Sequence, residues 1–226
     1  MRLPDYSQRL SIVGRTGSGK TVAAVWHLSK APFEQMPYIV YDFKNDSLLA
    51  DIGDLDGAEH IDTTFVPTKP GIYFVHPHPD DVDEVQNQMW RIWQQERTGV
   101  YVDEGYMVCG PANQNSAFRS LLTQGRSKQI PMIILSQRPV WLDRFVFSES
   151  DFYQIFALNH AGDRKKIMEY IPHDLNKPLP EFHSYYHDVA RAETYVIKPV
   201  PTADEILKVF DARLERISKR PHRKVI

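Results

Sequence analysis

The sequence predicts an α/β protein with a mainly parallel central sheet flanked by helices, followed by a C-terminal β-hairpin and a final helix. Three observations support this prediction. Short apolar segments alternate with helix-patterned segments over the first 172 residues. A glycine-rich turn joins the first apolar segment directly to a helix. After Pro172, two runs rich in aromatic and β-branched residues are separated by a short polar stretch.

The predicted elements follow one another at regular intervals. Strands are predicted at the apolar runs 10–13, 38–41, 71–75, 100–102, 132–135 and 152–158. Helices are predicted where apolar residues recur every three to four positions, at 20–30, from Asp80 or Asp81 to about 97, 116–123 and 163–170. The segment 42–62 carries seven acids and one lysine, and we expect it to be a solvated loop region.

In the C-terminal part, the two runs rich in aromatic and β-branched residues, 182–187 and 193–197, predict a hairpin. The final helix begins with a capping box from Thr202 to Glu205. This helix buries one apolar stripe, formed by Ile206, Phe210, Leu214 and Ile217.

We therefore predict a single domain over residues 1–226. It comprises a core of about 8–172, a C-terminal hairpin and helix of about 173–218, and a basic tail of 219–226. The tail can be a contact surface for a partner, or it can be a solvated, frayed end.

Composition excludes several classes of protein. With 42% hydrophobic and 25% charged residues, the chain has ordinary globular proportions. Its single cysteine, Cys109, excludes an intramolecular disulfide and is typical of a reducing compartment. No apolar run approaches the about 20 residues of a membrane span, and the first ten residues lack a signal-peptide core. The net charge of −2 means that any contact with DNA must be local.

The strongest local signal is an eight-residue stretch that fits G-x-x-x-x-G-K-[ST] between a strand and a helix. It comprises Gly14, Arg15, Thr16, Gly17, Ser18, Gly19, Lys20 and Thr21, and we call it the P-loop. Its glycines let consecutive N–H groups point at phosphate oxygens, and the helix start adds a positive dipole end. Lys20 reaches the β- and γ-phosphates, and the Thr21 hydroxyl is a ligand for Mg²⁺. The P-loop therefore predicts nucleotide binding.

Two other predicted strands end in polar residues at the carboxyl edge of the sheet, where ligands bind in open α/β folds. Asp103 suits an indirect, water-mediated hold on Mg²⁺. Its neighbour Glu104 can orient or deprotonate the water that attacks the γ-phosphate. Gln137 follows the next strand, and its amide can hydrogen-bond both that phosphate and the water. These residue types at these positions predict hydrolysis.

With these residues in place, the chain resembles the FtsK–HerA superfamily of ring-forming, DNA-pumping ATPases. The matching segments are the P-loop, 41–44, 100–104, 125–126 with 134–139, and 179–186. The P-loop alone occurs in thousands of unrelated proteins. The part of the resemblance that is specific to this superfamily is Gly125-Arg126 followed by Ser136-Gln137-Arg138-Pro139. In its small size, the chain is similar to the genome-packaging ATPases of tectivirus-type, membrane-containing icosahedral viruses.

The resemblance implies a RecA-like P-loop fold of the additional-strand, catalytic-glutamate division. It implies a ring, with a hexamer as the expected size, that uses ATP and Mg²⁺ to thread double-stranded DNA into a preformed capsid. The implied partners are double-stranded DNA, further copies of the chain, and capsid vertex or portal proteins. The implied location is the packaging vertex of the virion or the host cytoplasm. An arginine from one subunit completes the neighbouring site; Arg126 matches best by position, and Arg119 and Arg138 are the alternatives.

Two other functions use the same residues. A small-molecule kinase shares the P-loop but needs an acceptor pocket and a mobile basic lid, so Glu104 and Gln137 together favour water as the acceptor. A phage assembly or secretion ATPase that drives protein extrusion could keep every one of these residues. The nine histidines have no H-E-x-x-H spacing and no cysteine partner, so no zinc site is predicted.

Overall fold

A nine-stranded sheet runs through the part of the chain that the computed structural model describes, which is residues 1–110, 115–177 and 179–219. Its strands are β1 (Arg9–Val13), β2 (Pro37–Tyr41), β3 (Ala58–His60), β4 (Gly71–Val75), β5 (Gly99–Val102), β6 (Met132–Ser136), β7 (Phe152–Ile155), β8 (Ser184–Asp188) and β9 (Glu193–Ile197). Their order across the sheet is β3-β4-β2-β5-β6-β1-β7-β8-β9. Strands β1 to β7 pair in parallel, whereas β8 and β9 are antiparallel. The predicted α/β fold with a C-terminal hairpin is confirmed.

Helices cover both faces of the sheet. They are α1 (Lys20–Leu28), α2 (Ser47–Gly53), α3 (Val82–Gln95), α4 (Tyr106–Cys109), α5 (Ser116–Gln124), α6 (Arg144–Ser148), α7 (Ala161–Met168) and α8 (Ala203–Ser218). One apolar core lies between the sheet and helices α3 and α5, and a second lies between the sheet and helices α1, α2 and α8. The central strands are therefore buried on both faces, which explains their uninterrupted apolar sequences.

The strand order brings three chain segments to one place. Strand β6 lies between β1 and β5, with Val13 opposite Ser136 and Val102 opposite Ile134. Because these strands are parallel, their carboxyl ends meet at the same edge of the sheet. The P-loop, the Asp103–Glu104 pair and Gln137 each follow one of these ends. The fold thus places all three at the carboxyl edge. Strand β6 is the additional strand, between β1, which leads into the P-loop, and β5, which leads into the two acids.

The expectation of a solvated loop over 42–62 is wrong. This segment contains α2 and β3, and Asp42 is only 1% exposed. Asp46 caps α2 by accepting hydrogen bonds from two of its backbone N–H groups. The helix then buries Leu49 and Ile52. Several of the acids occupy capping and turn positions, so the high acidity did not indicate a solvated segment.

Two short helices, α4 and α6, were not predicted, and neither was a 3₁₀ turn at Pro139–Trp141. Helices of four or five residues are too short to show a helical period in sequence. In the chain, α4 follows the acidic strand β5, and α6 follows Gln137.

The C-terminal strands β8 and β9 extend the same sheet, and α8 packs against one face of it. Helix α8 begins with the predicted capping box of Thr202 and Glu205. It buries Phe210 and Leu214 fully, whereas Ile217 lies at the margin of the core. Of the predicted basic tail, only Lys219 belongs to the described residues. Among the described helices, none combines the length and the apolar character needed to cross a membrane.

Candidate active site

The P-loop wraps tightly between β1 and α1. The N–H of Arg15 donates to the carbonyl of Ala157 at 2.9 Å, which ties the loop to the end of β7. Gly17 and Gly19 have φ angles of +73° and +88°, in the left-handed region that favours glycine. A methyl group at Gly14 would lie 2.6 Å from the Cβ of Phe156, so only glycine fits there. The loop therefore needs its glycines for conformation and for space.

Lys20 begins α1 and is only 5% exposed. Burial lowers the pKa of its ammonium group, and the charge of Lys44 lowers it further. Glu104 and Asp103 act in the opposite direction, which places both acids within electrostatic reach of Lys20. A buried cation of this kind is stabilised by an anionic ligand. The P-loop lysine and the two acids that follow β5 thus belong to one site.

Asp103 and Glu104 are 3% and 2% exposed. One oxygen of Asp103, Oδ1, accepts a hydrogen bond from the N–H of Phe43 at 3.0 Å. Its other oxygen, Oδ2, has no partner in the structure, and neither does Oε1 of Glu104. Burial raises the pKa of Asp103, and the neighbouring charge of Asp42 raises it further, while the Phe43 hydrogen bond opposes the shift. Two buried carboxylates with unpaired oxygens are costly unless a cation or a polar ligand meets them.

Lys44 provides part of that compensation through an ion pair between its Nζ and Oε2 of Glu104. The turn that carries Lys44 is shaped by Asp42, whose carboxylate accepts the N–H groups of Lys44 and Asp46. The segment 41–44 is part of the resemblance described above, but that resemblance predicts no role for Lys44. A lysine two residues after an acid at a buried strand end is the signal that could have pointed to it.

Gln137 lies directly against the P-loop. Its Oε1 accepts a hydrogen bond from Oγ1 of Thr16 at 2.6 Å. The backbone supports the same contact, because the N–H of Gly14 donates to the carbonyl of Ser136 at 3.3 Å. Gln137 can therefore respond to changes in the loop that cradles phosphate.

The three candidate arginines occupy different surroundings. Arg126 is 67% exposed at the side chain and lies 3.9 Å from Asp151, which also accepts the N–H of Arg9 at the start of β1. Arg126 is thus at the amino edge of the sheet, opposite the P-loop. Arg119 donates to Asp143 at 2.7 Å. Arg138 donates to Asp163 at 2.9 Å, beside its own P-loop.

Comparison with known proteins identifies the family. The chain is 48% identical over 227 aligned residues to the DNA packaging ATPase P9 of Enterobacteria phage PRD1, covering 96% of this chain and 97% of that protein. This chain belongs to the family of DNA packaging ATPases that includes P9. No protein-family model matches the chain.

Solved structures show the fold of this packaging ATPase. The genome packaging NTPase B204 of Sulfolobus turreted icosahedral virus 2, in complex with ATP-gammaS, superimposes with a TM-score of 0.70 at 18% identity, covering 88% of this chain and all of that one. EssC of Geobacillus thermodenitrificans superimposes with a TM-score of 0.62 at 14% identity, over 94% of this chain and 44% of that chain. Both likenesses show that the chain shares the fold of these proteins.

Three buried polar atoms at the site of this packaging ATPase have no hydrogen-bond partner in the described part of the chain. Ser18 Oγ, Asp103 Oδ2 and Glu104 Oε1 are buried without partners at the same edge of the sheet. Within the described ranges, no three His, Cys, Asp or Glu side chains form a metal-binding group. A P-loop metal site fits this, because phosphate oxygens and a hydroxyl supply most of its ligands. The absence of zinc remains a prediction.

The Lys44–Glu104 ion pair leads to a prediction about stability. Lys44→Met leaves the buried carboxylate of Glu104 without this cation, and we expect the free energy of unfolding to fall by about 2 kcal/mol. In a Glu104→Gln background the same change costs little, because a neutral amide needs no cation. Chemical denaturation of the four proteins measures the coupling. Lys69→Met, at an exposed lysine, is the control. An equal loss in both backgrounds would show that the pair contributes nothing.

Proposed function

We propose that this chain hydrolyses ATP to move double-stranded DNA into a preformed capsid. The observation that carries the proposal is the 48% identity to a DNA packaging ATPase over nearly the whole of both chains. The buried acids beside Lys20 support it, because their unpaired oxygens suit a reaction in which water is the acceptor. Oε1 of Glu104 is buried without a hydrogen-bond partner, so the chain leaves its capacity to accept a hydrogen bond unused.

Each residue of the site has a distinct role in this proposal. The P-loop backbone and Lys20 bind the phosphates, and Thr21 and Asp103 hold Mg²⁺. Bound Mg²⁺ would supply positive charge to the phosphate oxygens. Glu104 accepts a proton from the attacking water or orients it. Gln137, which is hydrogen-bonded to Thr16, senses the terminal phosphate through the P-loop.

Residues 1–226 act as one ATPase domain in this proposal, because the C-terminal hairpin extends the same sheet as the core. The domain assembles as a ring, with a hexamer as the expected size, at the packaging vertex of the virion after synthesis in the host cytoplasm. Its partners are double-stranded DNA and the capsid vertex or portal proteins. The basic tail of 219–226 is a candidate contact for either of them.

Arg126 is the arginine that we propose to complete a neighbouring site. Its exposed guanidinium at the edge opposite the P-loop suits a residue that acts on another subunit. Charge develops on the γ-phosphoryl group during hydrolysis, and an arginine supplies a planar, permanent cation there.

Subunit mixing tests this role. Arg126→Ala and Lys20→Ala proteins are each expected to be inactive alone, because one lacks the arginine and the other lacks the phosphate-binding lysine. Mixed together, some sites receive an intact P-loop from one subunit and Arg126 from another, so part of the ATPase activity should return. Mixtures of Lys20→Ala with Arg119→Ala or Arg138→Ala test the alternatives. Absence of rescue at every ratio would contradict a role for Arg126 in trans.

The response of ATP turnover to DNA tests the function. We expect duplex DNA, supplied with the capsid vertex, to stimulate turnover, and the stimulation to weaken as salt rises because phosphate contacts release counterions. A rate that is indifferent to DNA under these conditions would favour protein extrusion instead.

A further inference from the structure

A mainly apolar cleft of about 250 Å³ opens beside the start of α1. The backbone of Gly19 forms part of its wall, so the cleft is continuous with the phosphate-binding loop. Phe156 and Phe182 line it on this side, and the segment 199–201, with the sequence Pro-Val-Pro, lines it on the other. Its volume is below the about 300–1,000 Å³ of pockets that enclose whole drug-sized ligands. The cleft therefore suits a flat heterocycle rather than an entire nucleotide.

Phe182 is an unusual residue in this wall. It is 46% exposed and has a φ angle of +58°, a conformation that a bulky side chain rarely adopts. Its ring lies over Gly19, because a methyl group at that glycine would be 3.2 Å from Cδ1 of Phe182. The loop is held in shape by the N–H of His183, which donates to the carbonyl of Pro180 at 3.1 Å. The chain thus holds an exposed aromatic ring at the end of the P-loop.

Of the polar side chains that line the cleft, Gln154 and Thr202 have partners within the chain, and Lys198 is exposed to solvent. Gln154 is hydrogen-bonded to His27 and to Ser184, at 2.7 and 2.9 Å. Thr202 is committed to the capping box of α8. Pro199 and Pro201 have no N–H to donate, and their carbonyls can only accept. Carbonyl oxygens can meet the amino groups of adenine and of guanine alike, so these groups do not separate the two bases.

We propose that this cleft takes the purine base of the bound nucleotide, that Phe182 is its stacking partner, and that the base is accepted by shape and stacking rather than read at its edge. This inference rests on the proposed function, since it assumes phosphates on the P-loop. Because stacking is tolerant of base identity, GTP binds with an affinity within about tenfold of that of ATP.

Equilibrium binding of ATP, GTP and inorganic tripolyphosphate, measured by calorimetry with Mg²⁺ present, tests the proposal. Phe182→Ala should weaken ATP and GTP by about tenfold, the loss of one stacking contact, while tripolyphosphate binding stays unchanged. Phe182→Trp should retain ATP affinity. Phe65→Ala, at a phenylalanine that is 52% exposed outside the cleft, is the matched control. Thermal melts of the variants check that they are folded.

Four results would overturn the inference. Unchanged ATP affinity in Phe182→Ala would remove the stacking role. An equal loss of ATP and tripolyphosphate binding would place the effect on the P-loop instead. A preference for ATP over GTP of more than about a hundredfold would mean that the base edge is read. If the wild-type protein bound neither ATP nor tripolyphosphate, the proposed function would fail, and this inference with it.

Discussion

Replacing Glu104 by Gln is expected to leave ATP binding intact and to lower hydrolysis by at least about a hundredfold. The physical reason is that the amide cannot accept a proton from the attacking water, although it has nearly the same size and can still form hydrogen bonds. Binding survives because the phosphates are held by the P-loop and Lys20. The substitution also leaves Asp103 as the only carboxylate of the adjacent pair. It therefore removes the charge repulsion between the two side chains in the free protein.

Two measurements check this prediction. Calorimetric titration gives the affinity for ATP, and single-turnover hydrolysis gives the rate of the chemical step. Glu59→Gln, at an exposed glutamate on the edge strand β3, is the matched control and should behave as wild type. Hydrolysis at the wild-type rate in Glu104→Gln would remove Glu104 from the catalytic role.

Replacing Lys20 by Ala is expected to weaken ATP binding by about 2.7 kcal/mol, or about a hundredfold in Kd. Lys20 is buried, and burial lowers the pKa of its ammonium group, so in the free protein it is a cation with poor solvation. The negative phosphate oxygens compensate the positive charge of Lys20. The alanine variant loses this attraction. Hydrolysis should fall further, since the charge on the γ-phosphoryl group grows in the transition state.

The matched control for Lys20→Ala is Lys30→Ala, at an exposed lysine just beyond the end of α1. It keeps the change in net charge and should leave both binding and hydrolysis unchanged. Fluorescence titration with ATP and with tripolyphosphate should show the same loss for both ligands in Lys20→Ala. A loss confined to ATP would mean that Lys20 acts on the nucleoside rather than on the phosphates.

The parallel sheet was predictable because each of its buried strands is a short apolar run between turn residues. Helices long enough to repeat their apolar stripe, such as α3 and α8, were predictable for the same reason. The segment 42–62 was not, because its acids suggested solvent exposure while Asp42 and Asp46 actually shape and cap a buried turn. Composition cannot distinguish an acid that caps a helix from one that is hydrated.

The residues of the candidate site were predictable where they belong to a local sequence motif. The P-loop has its own spacing, and Asp103, Glu104 and Gln137 each follow an apolar strand. Lys44 and Phe182 were missed because their importance comes from three-dimensional contacts, the ion pair with Glu104 and the contact over Gly19. These contacts join segments that are about 60 and about 160 residues apart in the chain, and no short motif records such a pairing.

The packaging of DNA into emptied capsids, scored by the DNA that resists nuclease, tests the central claim most directly. Capsids supplied with the wild-type chain, ATP and the genome should protect full-length DNA, and those supplied with Glu104→Gln should protect none. Equal protection by the two proteins would contradict an ATP-driven motor. ATP consumed at capsids that never take up DNA would contradict its assignment to packaging.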